Sequence, residues 1–84
     1  MLTPINVPLA TDTLAFGIND GGDIVGRYID TAREIHGFIY AGGAFSTVDV
    51  FGAASCVLTG IANDGAVAGI YVEFAGELHG LIGH

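Results

Sequence analysis

Apolar and polar residues alternate along this chain in short runs, and each run stops at a cluster of Gly, Asn, Asp or Ala. Residues 14–19 (LAFGIN), 23–30 (DIVGRYID), 35–40 (IHGFIY), 45–50 (FSTVDV), 57–63 (VLTGIAN), 66–73 (AVAGIYVE) and 78–83 (LHGLIG) are such runs, and residues 2–7 (LTPINV) form an eighth. They are rich in Val, Ile, Phe, Tyr and Thr, which suit a pleated, half-buried backbone. No segment keeps a helical period over ten residues. The breaks carry turn chemistry: Asn19, Asp20, Gly21 and Gly22 in one, Asn63, Asp64 and Gly65 in another, Gly42 and Gly43 in a third. These residues tolerate positive φ. The pattern predicts an all-β chain of eight short strands.

The pattern also repeats. Residues 44–84 laid on residues 1–41 without a gap give 12 identities in 41 positions. Among the identical pairs are Val7/Val50, Gly17/Gly60, Gly26/Gly69, Tyr28/Tyr71, Glu34/Glu77, His36/His79, Gly37/Gly80 and Ile39/Ile82. The chain is therefore read as one domain of two tandem units, residues 1–43 and 44–84. The strand at 23–30 decides how the units pack. Ile24, Gly26 and Tyr28 fall on one face and Val25, Arg27 and Ile29 on the other, so both faces are mostly apolar. A sheet with one wet face would not look like this. A β-propeller blade would, since a blade is covered on both sides and takes about 40–50 residues in four strands. The repeated glycines, Gly26 and Gly69 among them, are expected where blades approach closely.

Two blades cannot close a ring, and propellers usually have about 4–8. The expectation is homo-oligomerisation, with a trimer of six blades favoured, each chain lending residues 2–7 to the second unit of its neighbour. The alternative is a single-chain eight-stranded barrel or sandwich.

Composition narrows the partners. Half of the 84 residues are apolar (51%), only 13% are charged, and mean hydropathy is +0.62, which leaves apolar surface for another chain to cover. The net charge is −7, with Arg27 and Arg33 the only basic residues besides histidine. That excludes a nucleic-acid binder, which needs a basic stripe, and disfavours anionic membranes. No apolar run is long enough for a spanning helix, and the first residues lack the basic and apolar regions of a signal peptide. Cys56 stands alone, so no intrachain disulfide or CxxC site forms, and it is expected to be a small buried hydrophobe.

The elements GIND-G-IVG-Y, HGF-Y-GG-F-T-DV and GA, in that order, resemble the HAF repeat of bacterial proteins, with His36-Gly37-Phe38 and His79-Gly80-Leu81 at the place of the His-Ala-Phe motif. The middle residue departs from the family name. The resemblance covers nearly the whole chain. It implies a repeat scaffold and an extracellular home, and it brings no catalytic residue.

Candidate chemistry is sparse. His36 and His79 are the leading candidates for a functional side chain because both units carry them, although a structural hydrogen bond explains a strand histidine as well. They lack metal-ligand spacing, and no cluster of Cys or carboxylates is evident beside them. Asn19 to Asp23 resembles a calcium loop only in part, without the later bidentate acid. No GxSxG or phosphate loop frames Ser46, Ser55 or Cys56. The expected function is a non-enzymatic structural or interaction module, without metal or cofactor. The alternative is a carbohydrate-binding, lectin-like propeller, for which Tyr28, Tyr71, Arg27, His36 and His79 would line the ligand site.

Overall fold

A computed structural model describes residues 4–83. It is all-β: 59% of the described residues are strand and none of them is helix. Seven strands follow in chain order, β1 (Asp12–Ile18), β2 (Ile24–Ile29), β3 (Ile35–Ala41), β4 (Ala44–Val48), β5 (Ala53–Ile61), β6 (Val67–Glu73) and β7 (Leu78–Gly83). They form one open sheet in the order β1-β2-β3-β5-β6-β7, with β4 pairing β3. All neighbours are antiparallel except β3 and β5, which meet in parallel at the single pair Ile35 and Ser55. That one bridge joins two halves, β1 to β4 and β5 to β7, of which the second repeats β1 to β3 and has no counterpart of β4 among the described residues.

The turns explain the strand breaks. Asn19 and Asp23 are joined by a backbone hydrogen bond across the loop, and so are Asp30 and Glu34, Ala62 and Ala66, and Glu73 and Glu77. In each loop the fourth residue has positive φ: Gly22 (85°), Arg33 (68°), Gly65 (92°) and Gly76 (92°). This is the three-residue hairpin that ends in a left-handed bulge. Gly42 (60°) and Gly43 (83°) instead make the two-residue turn between β3 and β4.

The two halves pack face to face. Cross-strand pairing puts Val25, Arg27, Gly37 and Ile39 on one face of the first half. It puts Cys56, Leu58, Val67, Tyr71 and Leu81 on one face of the second. These faces meet: Val25, Cys56, Leu58 and Val67 are the buried core cluster, with Ile39, Val48, Val50, Ile61, Tyr71 and Leu81 packed around them. The backbones come close at Gly17, where a Cβ would lie 3.1 Å from the Cα of Gly60. Cys56 is buried, as its apolar company in the sequence suggests.

Three expectations need correction. Residues 4–7 do not form a strand, so the described residues hold seven strands and not eight; residues 2 and 3 of that run lie outside the described residues. The closed barrel is not what forms, because the sheet ends at β1 and β7 without joining. Finally, Gly26 and Gly69 are not where the halves approach each other. Each sits opposite a β-bulge inside its own half, between Ala15 and Gly17 in β1 and between Leu58 and Gly60 in β5. A Cβ on Gly26 would run into the Leu14 carbonyl oxygen and lie 2.9 Å from the Cα of Ala15. A Cβ on Gly69 would run into the Val57 carbonyl oxygen in the same way. The bulge folds the neighbouring backbone over these positions, and only glycine leaves room.

Candidate functional site: two histidine clamps and a turn ladder

The hairpin from β2 to β3 and the strand β4 bring three side chains of distant sequence together. His36 Nε2 lies 2.8 Å from Asp30 Oδ2, and His36 Nδ1 lies 2.7 Å from Asp49 Oδ1. Asp30 also holds its own turn, accepting from the backbone N–H of Ala32 (2.8 Å) and Glu34 (2.9 Å). A carboxylate only accepts, so both ring nitrogens must donate, and that is the imidazolium form. Burial pushes the His36 pKa down, but the bonds to Asp49 and Asp30 outweigh it and the net shift is upward. Asp30 moves the other way, held low first by the bond from His36 and then by the backbone of Glu34. The ring of Tyr28 lies against that of His36, centroids 5.0 Å apart, and its hydroxyl is 2.7 Å from that of Thr47.

The second half builds the same clamp less completely. His79 stacks on Tyr71 at 4.9 Å. Its Nε2 lies 3.5 Å from Glu73 and 3.7 Å from Glu77, beyond good hydrogen-bond range. That nitrogen is buried without a hydrogen-bond partner among the described residues. Glu73 stands where Asp30 stands in the first unit, one methylene longer. No side chain among the described residues takes the place of Asp49.

The five residues expected to line a ligand site do not converge. His36 and Tyr28 form one pair and His79 and Tyr71 another, in different halves. Arg27 points to the opposite face from Tyr28 and lies 4.0 Å from Asp12. Sequence reading missed the carboxylates around His36, which are 6 and 13 residues away along the chain. The repetition of Asp30 as Glu73 and of Glu34 as Glu77 was the available signal. Oxygen and nitrogen atoms of Asp30, Glu34 and His36 lie within 4.8 Å of one another, as do those of Glu73, Glu77 and His79. In the first group both histidine nitrogens are already engaged by carboxylates, which leaves no lone pair for a cation.

Beside His36 runs a cleft of about 250 Å³ lined by Glu34, Asp49, Ser55, Cys56 and Phe74 among others. The Cys56 thiol is pushed up by burial, and the imidazole that would serve as its base is held by two acids.

A second polar feature joins the halves. The Asn19 side chain donates to Asp23 (3.0 Å) and to the carbonyl of Ala62 (3.1 Å). The Asp20 N–H donates to Asn63 Oδ1 (2.8 Å), and Asn63 Nδ2 donates back to Asp20 Oδ2 (2.9 Å). Each bond between the two turns spans 43 residues, the repeat length, so equivalent turns lie side by side. In the loop that resembles a calcium site, Asp20 Oδ2 accepts across this ladder, while Asn19 Oδ1 and Asp23 Oδ2 accept within the turn itself.

No family model, no curated protein and no solved structure matches the chain.

Proposed function

We propose that this chain is a non-enzymatic β-repeat scaffold that associates with copies of itself, its two halves serving as blades of a propeller ring closed by other chains. One observation carries the reading. The face of the first half that bears Arg27, Gly37 and Ile39 is covered by the second half, whereas the repeat-equivalent face of the second half, with Ile70, Gly80 and Ile82, is open. Ile82 is 80% exposed and Leu78 is 65% exposed. The complementary surface of the first half is open at its edge: Phe38 is buried there, but Ile18 is 66% exposed, while its equivalent Ile61 packs on the core cluster. The molecule thus has one internal contact between unlike faces and presents both halves of a second. Contacts of this heterologous kind generate rings when the rotation closes, and a trimer would supply six blades. The motif likeness to HAF repeats agrees with a scaffold role. The engaged His36 and the buried, unactivated Cys56 argue against catalysis. A glycan ligand would have to use tyrosine rings that already lie against histidines.

The test uses two variants. Ile82→Glu spoils one open face and Ile18→Glu the other, and each should be monomeric by light scattering at a concentration where the native chain associates. Mixed in equal amounts, they should form a dimer, because each retains the face the other needs. A native chain that stays monomeric at high micromolar concentration, or a mixture that does not pair, would overturn the reading.

A further inference from the structure

We infer that the second histidine clamp is a composite site, completed by Asn6 of a second copy. This rests on the head-to-tail association proposed above. In the first half, Asp49 reaches His36 from the residue just before Val50. Val50 then turns into β5 through the backbone bond from the Ala53 N–H, and β5 lies across the first half. Asn6 occupies the equivalent position. It precedes Val7, which makes the same turn through the Ala10 N–H, and β1 follows. Asn6 is exposed. When β1 of a second copy crosses the second half as β5 crosses the first, Asn6 arrives beside His79 as Asp49 arrives beside His36.

The chemistry suits the exchange. The Asn6 carboxamide oxygen accepts from Nδ1–H of His79, as Asp49 accepts from His36. That bond fixes the ring with Nε2 toward Glu73 and Glu77, where a small movement shortens 3.5 Å to a true hydrogen bond. The junction between chains therefore carries the neutral member of the pair, asparagine, where the junction within the chain carries aspartate.

A double-mutant cycle on association tests this. The dissociation constant is measured by sedimentation for the native chain, Asn6→Ala, His79→Ala and the double variant, with circular dichroism to confirm folding. Asn6→Ala should weaken association by roughly tenfold, the scale of one hydrogen bond to a buried group. The double variant should be no weaker than His79→Ala alone. Asn6→Leu is an independent arm: it keeps the bulk of the side chain but cannot accept a hydrogen bond, and it should weaken association as much as Asn6→Ala does. Additive losses in the cycle, or an Asn6→Leu chain that associates as the native chain does, would overturn the composite site while leaving the association intact. Failure of the native chain to associate would instead remove the reading beneath it.

Discussion

Gly37 and Gly80 are the same residue of the repeat in two surroundings, and replacing each by alanine separates packing from every other effect. A Cβ on Gly37 would lie 3.1 Å from Cγ of Leu58, 3.3 Å from Sγ of Cys56 and 3.3 Å from the Val48 carbonyl oxygen. Carbon atoms in comfortable contact sit about 3.5–4.0 Å apart, so Leu58 would have to retreat by about half an ångström. It has nowhere to go: Leu58 is fully buried and Cys56 is 1% exposed, both packed against Val25 and Val67. Forcing an extra carbon into such a core costs about 1–3 kcal/mol. The lower entropy of the unfolded alanine chain returns about 0.4–1 kcal/mol. The net loss is about 1–2 kcal/mol, or roughly 5–15 °C in Tm for a domain of this size. At Gly80 a Cβ meets nothing within 4 Å. Gly80→Ala should therefore leave Tm unchanged or raise it slightly. Thermal unfolding followed by circular dichroism, at concentrations dilute enough for the chain to be dissociated, measures both, because association would itself raise Tm. Equal losses at the two positions would refute the face-to-face packing on which the proposed association depends.

Leu9 (φ 66°) and Arg33 (φ 68°) are exposed residues in the left-handed region, and their repeat equivalents are Gly52 (φ 82°) and Gly76 (φ 92°). Leu9→Gly and Arg33→Gly should each stabilise by about 0.5 kcal/mol, since relief of about 1–2 kcal/mol of backbone strain exceeds the entropy cost of glycine; urea midpoints that fall would contradict this. His36 has a raised pKa when folded, so its contribution is complete below the ordinary histidine value of about 6.5 and is lost as pH rises through the folded value. Asp30 is lowered from 3.8, so its contribution is complete above that pH and is lost on further acidification. Stability should peak between these limits, and His36→Ala should abolish the part of the decline above pH 6.5 that this ring causes; an unchanged slope would show that His36 is not clamped in solution. A chelator should leave Tm unaltered, because Asn19 Oδ1, Asp20 Oδ2 and Asp23 Oδ2 already accept hydrogen bonds within the turn or across the ladder; a fall restored by calcium would mean that these bonds give way to an ion.

The strands were legible because each signal was local. Alternation, β-branched residues and the Asn-Asp-Gly or Gly-Gly breaks placed seven of them within a few residues. Residues 4–7 have the composition of the β4 segment and yet are not a strand, because a strand is a pairing: β4 follows a two-residue turn back onto β3, while residues 4–7 find no such edge within the chain. Gly26 and Gly69 were legible as tight positions but not for the right reason. A neighbouring strand that bulges over a residue and a neighbouring sheet that presses on it demand the same amino acid. The histidines stood out by repetition, whereas Asp30 and Asp49 reach His36 only after two hairpins have formed. That Arg27 points away from Tyr28 was legible, since strand alternation already places the two on opposite faces, and grouping them in one ligand site overlooked it.

The packing of one half on the other has a geometric consequence. Two equivalent units meeting through unlike faces are related by a fixed screw operation, with a rotation and a rise, and every copy of the chain contains that operation intact. In the proposed association the same operation, applied again at the open face, places the next unit. A rotation near 60° with no rise returns to the start after six units, whereas any residual rise turns a ring into an open helix. The number of subunits is then not a separate property to be encoded at the interface between chains. In the proposed association it follows from the angle at which Leu58 and Cys56 rest on Gly37, and a substitution there that tilts the contact by a few degrees would change the size or closure of the proposed ring.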